Sequence, residues 1–399
     1  MVGTSSLFIR DLRLTIIVLF CGALSGINIA KLAPTTTTLA ASFGLSLTEI
    51  GLLASVFTLI MVLAGSLIGG IVRGAGTKRI LLTALLIACL GNVISLSGGS
   101  VASLFIGRAI EGVSLIAVTL TAPAILAQHT APIHRGWIMG TWGGFMPLGN
   151  AVAIISAPYL IDIGGWHLVW EVGLWFSAVV FILGWLFIPS DKVEMRGHFD
   201  TTALKLAVKL PLLAFIGLSF ACHSLVYQTL IQFMPLFSQS FLGVSLAVGA
   251  LITGLFCLIN FFGNLIAGQA LQRGKKPALI VRLVFLLVPV LLIGLVLLKE
   301  SSWAMLLILS LTGLVIGGSA PIFFYLVSKS NEDPQNLPVF VAWTFQIQGL
   351  GMLVGPALVS RVVDVTQSWS IGILCLVPAC LAVVVMSGRL VLPTSKKSA

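Results

Sequence analysis

Charge is what this sequence has least of. Of its 399 residues, 9% are Asp, Glu, Lys or Arg, and only 12 are acidic. A water-soluble domain carries about 25% charged residues, so a solvent-facing surface cannot be assembled from this chain. Cysteine is also scarce. Cys21, Cys89, Cys222, Cys257, Cys375 and Cys380 all fall inside apolar runs with no C-x-x-C pair. They read as small packing residues, not as a disulfide framework or zinc site. No phosphate-binding glycine loop, dinucleotide fingerprint or soluble stretch long enough for an ATPase is present, and no His/Asp or Ser/His cluster converges by spacing. Those absences remove ATP-driven pumps and enzymes from the expected classes, and no cofactor or metal is expected. The start, "MVGTSSLFIRDLRL", lacks the short apolar core and cleavage site of a secretory signal. The first apolar run is therefore expected to be retained as a helix.

What remains is apolar: 58% of the residues are hydrophobic. The runs are continuous rather than alternating, which fits membrane-spanning helices and not barrel strands. Twelve spans are predicted, at about 14–38, 47–72, 80–97, 101–127, 137–160, 169–188, 210–234, 246–270, 278–298, 303–327, 338–359 and 370–388. Ser46 to Glu49 forms a capping box opening the second, and 97–100 is a tight turn. With the N-terminus inside, 18 of the 22 Lys and Arg fall on the inner side, Lys299 and Arg361 on the outer, and Lys31 and Arg108 within spans. That asymmetry predicts cytoplasmic N- and C-termini in a bacterial-type inner membrane. It also accounts for the +10 net charge without invoking nucleic acid.

The chain repeats itself. A shift of 198 residues aligns Ser42 with Ser240, Gly51 with Gly249, Gly65 with Gly263, Gly70 with Gly268, Gly76 with Gly274, Lys78 with Lys276, Ala122-Pro123 with Ala320-Pro321, and Pro158 with Pro356. The expected fold is an all-α polytopic membrane protein with twelve transmembrane helices in two pseudo-symmetric halves, 1–190 and 210–399, joined by a cytoplasmic linker at 191–209. Parallel repeats of this kind build transporters with a substrate site near the midplane.

The residues also carry a resemblance. "GGIVRGAGTKRILL" (69–82) is similar to the loop signature of the major facilitator superfamily, with Gly69, Gly76, Lys78 and Arg79 at signature positions and Arg73 where an aspartate is usual. "LFIGRAIEGVSLIAV" (104–118) resembles that superfamily's R-x-x-Q-G motif, with Glu111 in place of glutamine. The antiporter motif is poorly matched by "GTWGGFMPLGNAVA" (140–153). "GRAIEG", "APAIL", "WGGFMPLG" and the Asn28/Lys31 pair resemble the cyanate/nitroimidazole transporter group. The resemblance implies alternating access, a gating loop at Gly69, Arg73, Gly76, Lys78 and Arg79, and proton coupling through Arg108 and Glu111.

Charges inside a bilayer cost about 2.5–3.5 kcal/mol each on insertion scales, so the three that lie there are candidates. Arg108 and Glu111 are three apart on one helix and can pair, either statically or as a proton-coupling device. Lys31 is then an unpaired cation that an anionic solute would complete. Ser25, Asn28, Lys31, Thr35 and Thr38 form one helical stripe, expected to face a cavity. Alternatively Lys31, roughly 25 Å along its helix from Leu14, snorkels to the outer headgroups. Its repeat mate is Thr229, which favours a monoanion over a dianion. On the seventh span Ser224, Gln228 and Gln232 share a face, with His223 and Tyr227 beside them. His223 is a candidate proton carrier or a hydrogen-bonded structural residue. Trp142, Pro147, Asn150, Asn260, Asn264, Trp343 and Gln346 either line the cavity or bridge helices. The substrate-binding set is thus Lys31, Asn28, Thr35, Trp142, Tyr227, Gln228 and Trp343. The expected partners are a small solute, protons and lipid, around a monomer. The expected function is a secondary transporter of a small anionic or polar solute, with proton-coupled uptake ahead of proton-driven export. A transporter-like signalling or structural protein is the rival of another class.

Overall fold

The computed structural model describes the backbone of residues 2–45, 47–190, 201–330 and 336–390; the side chains of 2–6, 47–48, 72–75, 132, 135–136 and 201 fall outside that description. Among the described residues there is no strand. Twelve helical spans follow the order expected from the sequence. α1 is Val2–Ala30 continued by Leu32–Phe43, α2 Leu47–Ala75, α3 Thr77–Ser97 and α4 Val101–His129. α5 is Arg135–Gly143 continued by 145–163, and α6 covers 166–187. α7 is Pro211–Leu242, α8 Leu246–Gln272 and α9 Pro277–Leu297. α10 is Ser302–Gly317 continued by Ala320–Lys329, α11 Leu337–Thr366, and α12 Trp369–Leu374 continued by Val377–Met386.

Most spans exceed the roughly 20 residues that a helix needs to cross a 30 Å hydrocarbon layer. α5 and α6 run together as one 43-residue stretch, Phe145–Phe187, broken at Gly164 and Gly165; Gly165 has φ 65°. That left-handed step costs glycine little and turns the chain back across the membrane. Leu63, Leu67, Trp175, Trp185, Leu283 and Val290 are exposed, as a lipid-facing belt requires. The sequence-predicted capping box on Ser46 lies outside the described residues. Ser100 caps α4 instead, accepting from the Ser103 amide at 3.2 Å. The expected linker, 191–209, has 191–200 outside the described residues, while Thr201–Lys209 is a helix. Ala203 and Ala207 are its buried pair, and it packs on α11.

Very close helix crossings tie each half, and one pair of them is related by the repeat. A Cβ on Gly149 of α5 would stand 2.0 Å from the Ala23 carbonyl oxygen of α1; one on Gly351 of α11 would stand 1.8 Å from the Ala221 carbonyl oxygen of α7. Ala23 and Ala221 are repeat mates, and their glycine partners are offset by one helical turn. Small residues allow such approach where no hydrophobic force drives helices together in lipid.

The two halves meet tightly on the side that carries the chain termini. There Gly69 of α2 faces Ala342 and Pro338 of α11, and Gly140 of α5 touches Gly268 of α8. Gln346 of α11 donates to the Val62 carbonyl and accepts from the Ser66 amide at 3.3 Å. On the opposite side the halves part around a vestibule of about 520 Å³ lined from α1, α2, α5, α7, α8 and α11.

The signature loop has physical roles here. Gly69 lets α2 close on α11. Gly76 turns the chain at φ 87°. Lys78 donates to the Trp185 and Ile188 carbonyls, which cations favour at a helix C-terminus. Arg79 is exposed, and the Arg73 side chain lies outside the described residues.

Candidate functional site

Lys31 sits at a break in the hydrogen-bond ladder of α1. Its own backbone stays helical (φ −58°, ψ −23°) and bonds to Ile27 at 3.0 Å, but Pro34, with no N–H, leaves the next turn short of a donor, and only the ladder is interrupted there. Its side chain turns away from the vestibule into the first half of the molecule. The Lys31 Nζ donates to Asn28 Oδ1 at 3.1 Å, Asn92 Oδ1 at 2.7 Å and Glu111 Oε1 at 2.6 Å. The Trp170 ring centroid lies 4.6 Å from it. An ammonium has three protons, and all three are used.

Glu111 is shared. Its Oε2 accepts from Arg108 Nη1 at 2.7 Å, and Arg108 also donates to the Asn28 carbonyl while stacking over Phe57 with its Cζ 4.4 Å from the ring centroid. Lys31 is 0% exposed, and Arg108 and Glu111 are 1% exposed. Glu111 is ten residues into α4, about 15 Å at 1.5 Å per residue, near the middle of the layer. α1, α3, α4 and α6 thus enclose one carboxylate between two cations.

This corrects two expectations. Lys31 is not an unpaired cation, and it neither snorkels nor faces the central cavity. The stripe Ser25, Asn28, Lys31 and Thr35 is real, and all four are buried, but it faces the neighbouring helices. The opposite face of α1, at Ala33, Pro34, Thr36 and Thr37, lines the vestibule. The i,i+3 ion pair of Arg108 and Glu111 is present, with Lys31 as its third member.

A second polar site lies at the interface of the halves, one helical turn below the vestibule. α7 contributes Gln232 to the vestibule, and Phe220, His223, Ser224, Tyr227 and Gln228 to a smaller cavity of about 40 Å³. Asn260 and Asn264 of α8, Phe324 of α10, Phe345, Gln348 and Met352 of α11, and Met146 and Pro147 of α5 complete it. Its buried amide atoms without partners are oxygens, beside the Tyr227 hydroxyl. Asn264 Nδ2 is engaged by Asn260 at 2.9 and 3.1 Å, leaving Oδ1 without a partner. Gln348 Nε2 donates to Ser224 Oγ at 2.8 Å, leaving Oε1 unpartnered, as is Gln228 Oε1. Ser319 Oγ donates to the Ile316 carbonyl at 2.8 Å and lies 2.7 Å from His223 Nδ1. That network assigns the proton to Nδ1 and makes Nε2 the ring's acceptor. Among the described residues, the lining holds no Asp, Glu, Lys or Arg.

Of the sequence-predicted substrate residues, Tyr227, Gln228 and the coupling candidate His223 reach this cavity. Lys31 belongs to the buried trio with Arg108 and Glu111, and Asn28 accepts from it at 3.1 Å. Thr35 donates to the Lys31 and Leu32 carbonyls at 2.9 and 3.1 Å. Trp142 stacks on Phe145 at 4.4 Å and packs on Gly22 of α1. Trp343 is half-buried against the core and lines neither space. Sequence reasoning missed Asn92, Trp170 and Gln348. A lone amide in the apolar third span was a usable signal for Asn92.

Two helical halves, a polar site between them, closure on one side and a vestibule on the other are the architecture of a membrane carrier. The family model described as Major Facilitator Superfamily matches residues 18–356, and the chain belongs to that family. Family and fold are those of membrane transporters and point to a non-enzymatic role. An Escherichia coli O157:H7 protein named "Uncharacterized transporter YgaY" is 27% identical over 31% of this chain and 31% of its own length. A Mycobacterium tuberculosis "Multidrug resistance protein B homolog" is 28% identical over 33% of this chain and 24% of its own. A Cupriavidus pinatubonensis "Probable 4-methylmuconolactone transporter" is 24% identical over 60% and 58%. The chain therefore spans less than two thirds of these curated relatives. The crystal structure of the human organic anion transporter MFSD10 (TETRAN) superposes with a TM-score of 0.78 at 15% identity, covering 94% of this chain and 99% of that one. That likeness concerns the fold.

Proposed function

We propose that this protein is a proton-coupled secondary transporter of a small polar solute rich in hydrogen-bond donors, working by inward uptake. The observation that carries this reading is the midplane lining. Gln228 Oε1, Asn264 Oδ1 and Gln348 Oε1 are buried acceptors without partners, in a wall with no formal charge. An unmade buried hydrogen bond costs about 1–3 kcal/mol, so a donor-bearing solute gains what an anion loses there. An anionic solute would need a free Lys31, and that ammonium is already occupied by Asn28, Asn92 and Glu111. The cavity is too small for a solute as it stands. Met146 and Met352 are flexible walls, and the vestibule one turn away is the entry. The buried trio is the coupling element. The basic-residue distribution supports cytoplasmic termini, and hence a structure open outward; the membrane in this reading is a bacterial-type inner membrane. The protein acts as a monomer.

The test is solute counterflow in proteoliposomes, with a panel of uncharged amides and polyols beside matching carboxylates. Uncharged donors should exchange. Gln228→Leu and Asn264→Leu should each raise the half-saturating concentration roughly 3- to 10-fold, the worth of one hydrogen bond. A carboxylate as best solute, with Gln228→Leu harmless, would overturn this reading. Export of aromatic compounds is the second reading, favoured by the walls Phe220, Phe324 and Phe345 and by similarity to the multidrug resistance homologue. The two separate by whether an acidic lumen expels or accumulates the solute.

A further inference from the structure

Within the proton-coupled reading above, we infer that Lys31, and not Glu111, is the group that takes up and gives up the coupling proton. The inference starts from charge counting. Lys31, Arg108 and Glu111 are buried together with two positive charges and one negative. Among the described residues, the elements packed around Lys31 bring no further charge into contact with it: α3 offers the Asn92 amide, α6 the Trp170 ring with Glu171 exposed, α4 only Arg108 and Glu111, and Asp162 of α5 lies at the vestibule. α2 reaches Arg108 through Phe57, which is uncharged. Fully ionised, the trio therefore holds a surplus of one positive charge in a region of low dielectric.

A proton carrier must alternate between two charge states without stranding a buried charge. Protonating Glu111 fails that condition. Each of its oxygens accepts from a different cation, so adding a proton removes a partner and raises the trio to two surplus charges. Arg108 cannot lose a proton in a protein. Lys31 can. When the Nζ–H bond breaks, its electron pair stays on nitrogen, the proton passes to water, and Arg108 with Glu111 remain as a neutral pair. The trio then carries no net charge.

The surroundings set when this happens. Asn92 Nδ2 donates to the Ala88 carbonyl at 2.9 Å, which turns Asn92 Oδ1 toward Lys31. With Asn28 Oδ1 and Glu111 Oε1, the closed site presents three acceptors, a cradle for the ammonium. Release requires Lys31 to leave that cradle. Lys31 stands where the hydrogen-bond ladder of α1 is weakened by Pro34, and the segment that follows lines the vestibule at Ala33, Pro34, Thr36 and Thr37. Movement of that segment as the vestibule changes shape would draw Lys31 from its acceptors and bring water to it.

The experiment has two arms. Thermal unfolding of the detergent-purified protein is followed from pH 6 to 10 for the wild type, Lys31→Met and Lys31→Arg. If Lys31 holds the surplus proton, the folded state binds fewer protons than the unfolded chain as pH rises, and stability climbs with pH. The wild-type midpoint should rise by several degrees over this range and the Lys31→Arg midpoint should not, with Lys31→Met as the charge-free control. Equal slopes in wild type and both variants overturn the inference. So does a wild-type slope that vanishes when chloride is replaced by gluconate, because an anion would then balance the charge. In proteoliposomes, both variants should keep counterflow yet lose at least tenfold of gradient-driven accumulation. Accumulation that survives in both overturns Lys31 as carrier. A wild type that ignores the pH gradient, with the melting slopes as expected, instead refutes the coupling reading above and leaves the proton on Lys31.

Discussion

Glu111→Gln is expected to leave little folded protein, at least tenfold less monodisperse material than wild type from the same membranes. Glutamine keeps the shape of the side chain but offers one acceptor oxygen and no charge, where the structure has two cations each bonded to its own oxygen at 2.6 and 2.7 Å. Removing one partner of a buried ion pair costs about 3–5 kcal/mol, because the other charge is left uncompensated. Here two are left. Set against a total stability of about 5–15 kcal/mol, that is enough to unfold the first half of the molecule. The cost is specific to the charge, so a second change should recover much of it. Lys31→Met in the Glu111→Gln background removes one stranded cation, and Arg108 retains the Asn28 carbonyl and the Phe57 ring. The double variant should be clearly more stable than Glu111→Gln alone, a coupling on the order of 2–3 kcal/mol between touching residues. Asn92→Leu, which removes one acceptor from a charged donor, should cost less, about 1.5–3 kcal/mol. Near wild-type yield and melting for Glu111→Gln would show that the trio does not hold the helices together.

The difference between what the sequence reveals and what it hides is clear around this trio. The spacing of Arg108 and Glu111 predicts their contact, because three residues on a helix fix a direction. The contact of Lys31 with Glu111 joins positions 80 apart and that with Asn92 positions 61 apart, and no local period encodes it. The polar stripe on α1 is legible for the same reason as the ion pair. Its direction is not, since a buried ion cluster and a wet cavity both demand a polar face. The twelve spans are legible because bilayer thickness dictates their length. Their ends are less so: α11 runs to Thr366, and α7 runs past Pro235 to Leu242, since neighbouring helices tolerate a missing hydrogen bond in the membrane. Tyr227 and Gln228 could be found from the repeat, as they occupy the span equivalent to α1. Gln348 needed the packing of α11 on α7.

A disulfide between Gly65→Cys on α2 and Gln346→Cys on α11 is expected to stop counterflow almost completely, to under a tenth of the reduced protein, and reduction should restore it. The geometry suits the bond. A Cβ on Gly65 would stand 3.4 Å from the Gln346 Cβ, close to the 3.5–4.5 Å that disulfides span. The six native cysteines would first be replaced by alanine. This contact lies on the side of the chain termini, where the halves are shut, while the vestibule stays open on the other side. If transport proceeds by rocking one half against the other, α2 and α11 must separate here for the solute to leave, and a covalent bond forbids that. The reduced double variant serves as its own reference. It lacks the bonds from Gln346 to Val62 and Ser66, each worth about 0.5–1.5 kcal/mol, so the shut side is weakened rather than strengthened before oxidation. Any loss on oxidation is then due to the link. Fully cross-linked protein that still exchanges solute would mean that α2 and α11 move as one body, and that the exit lies at the α5–α8 contact of Gly140 and Gly268 instead.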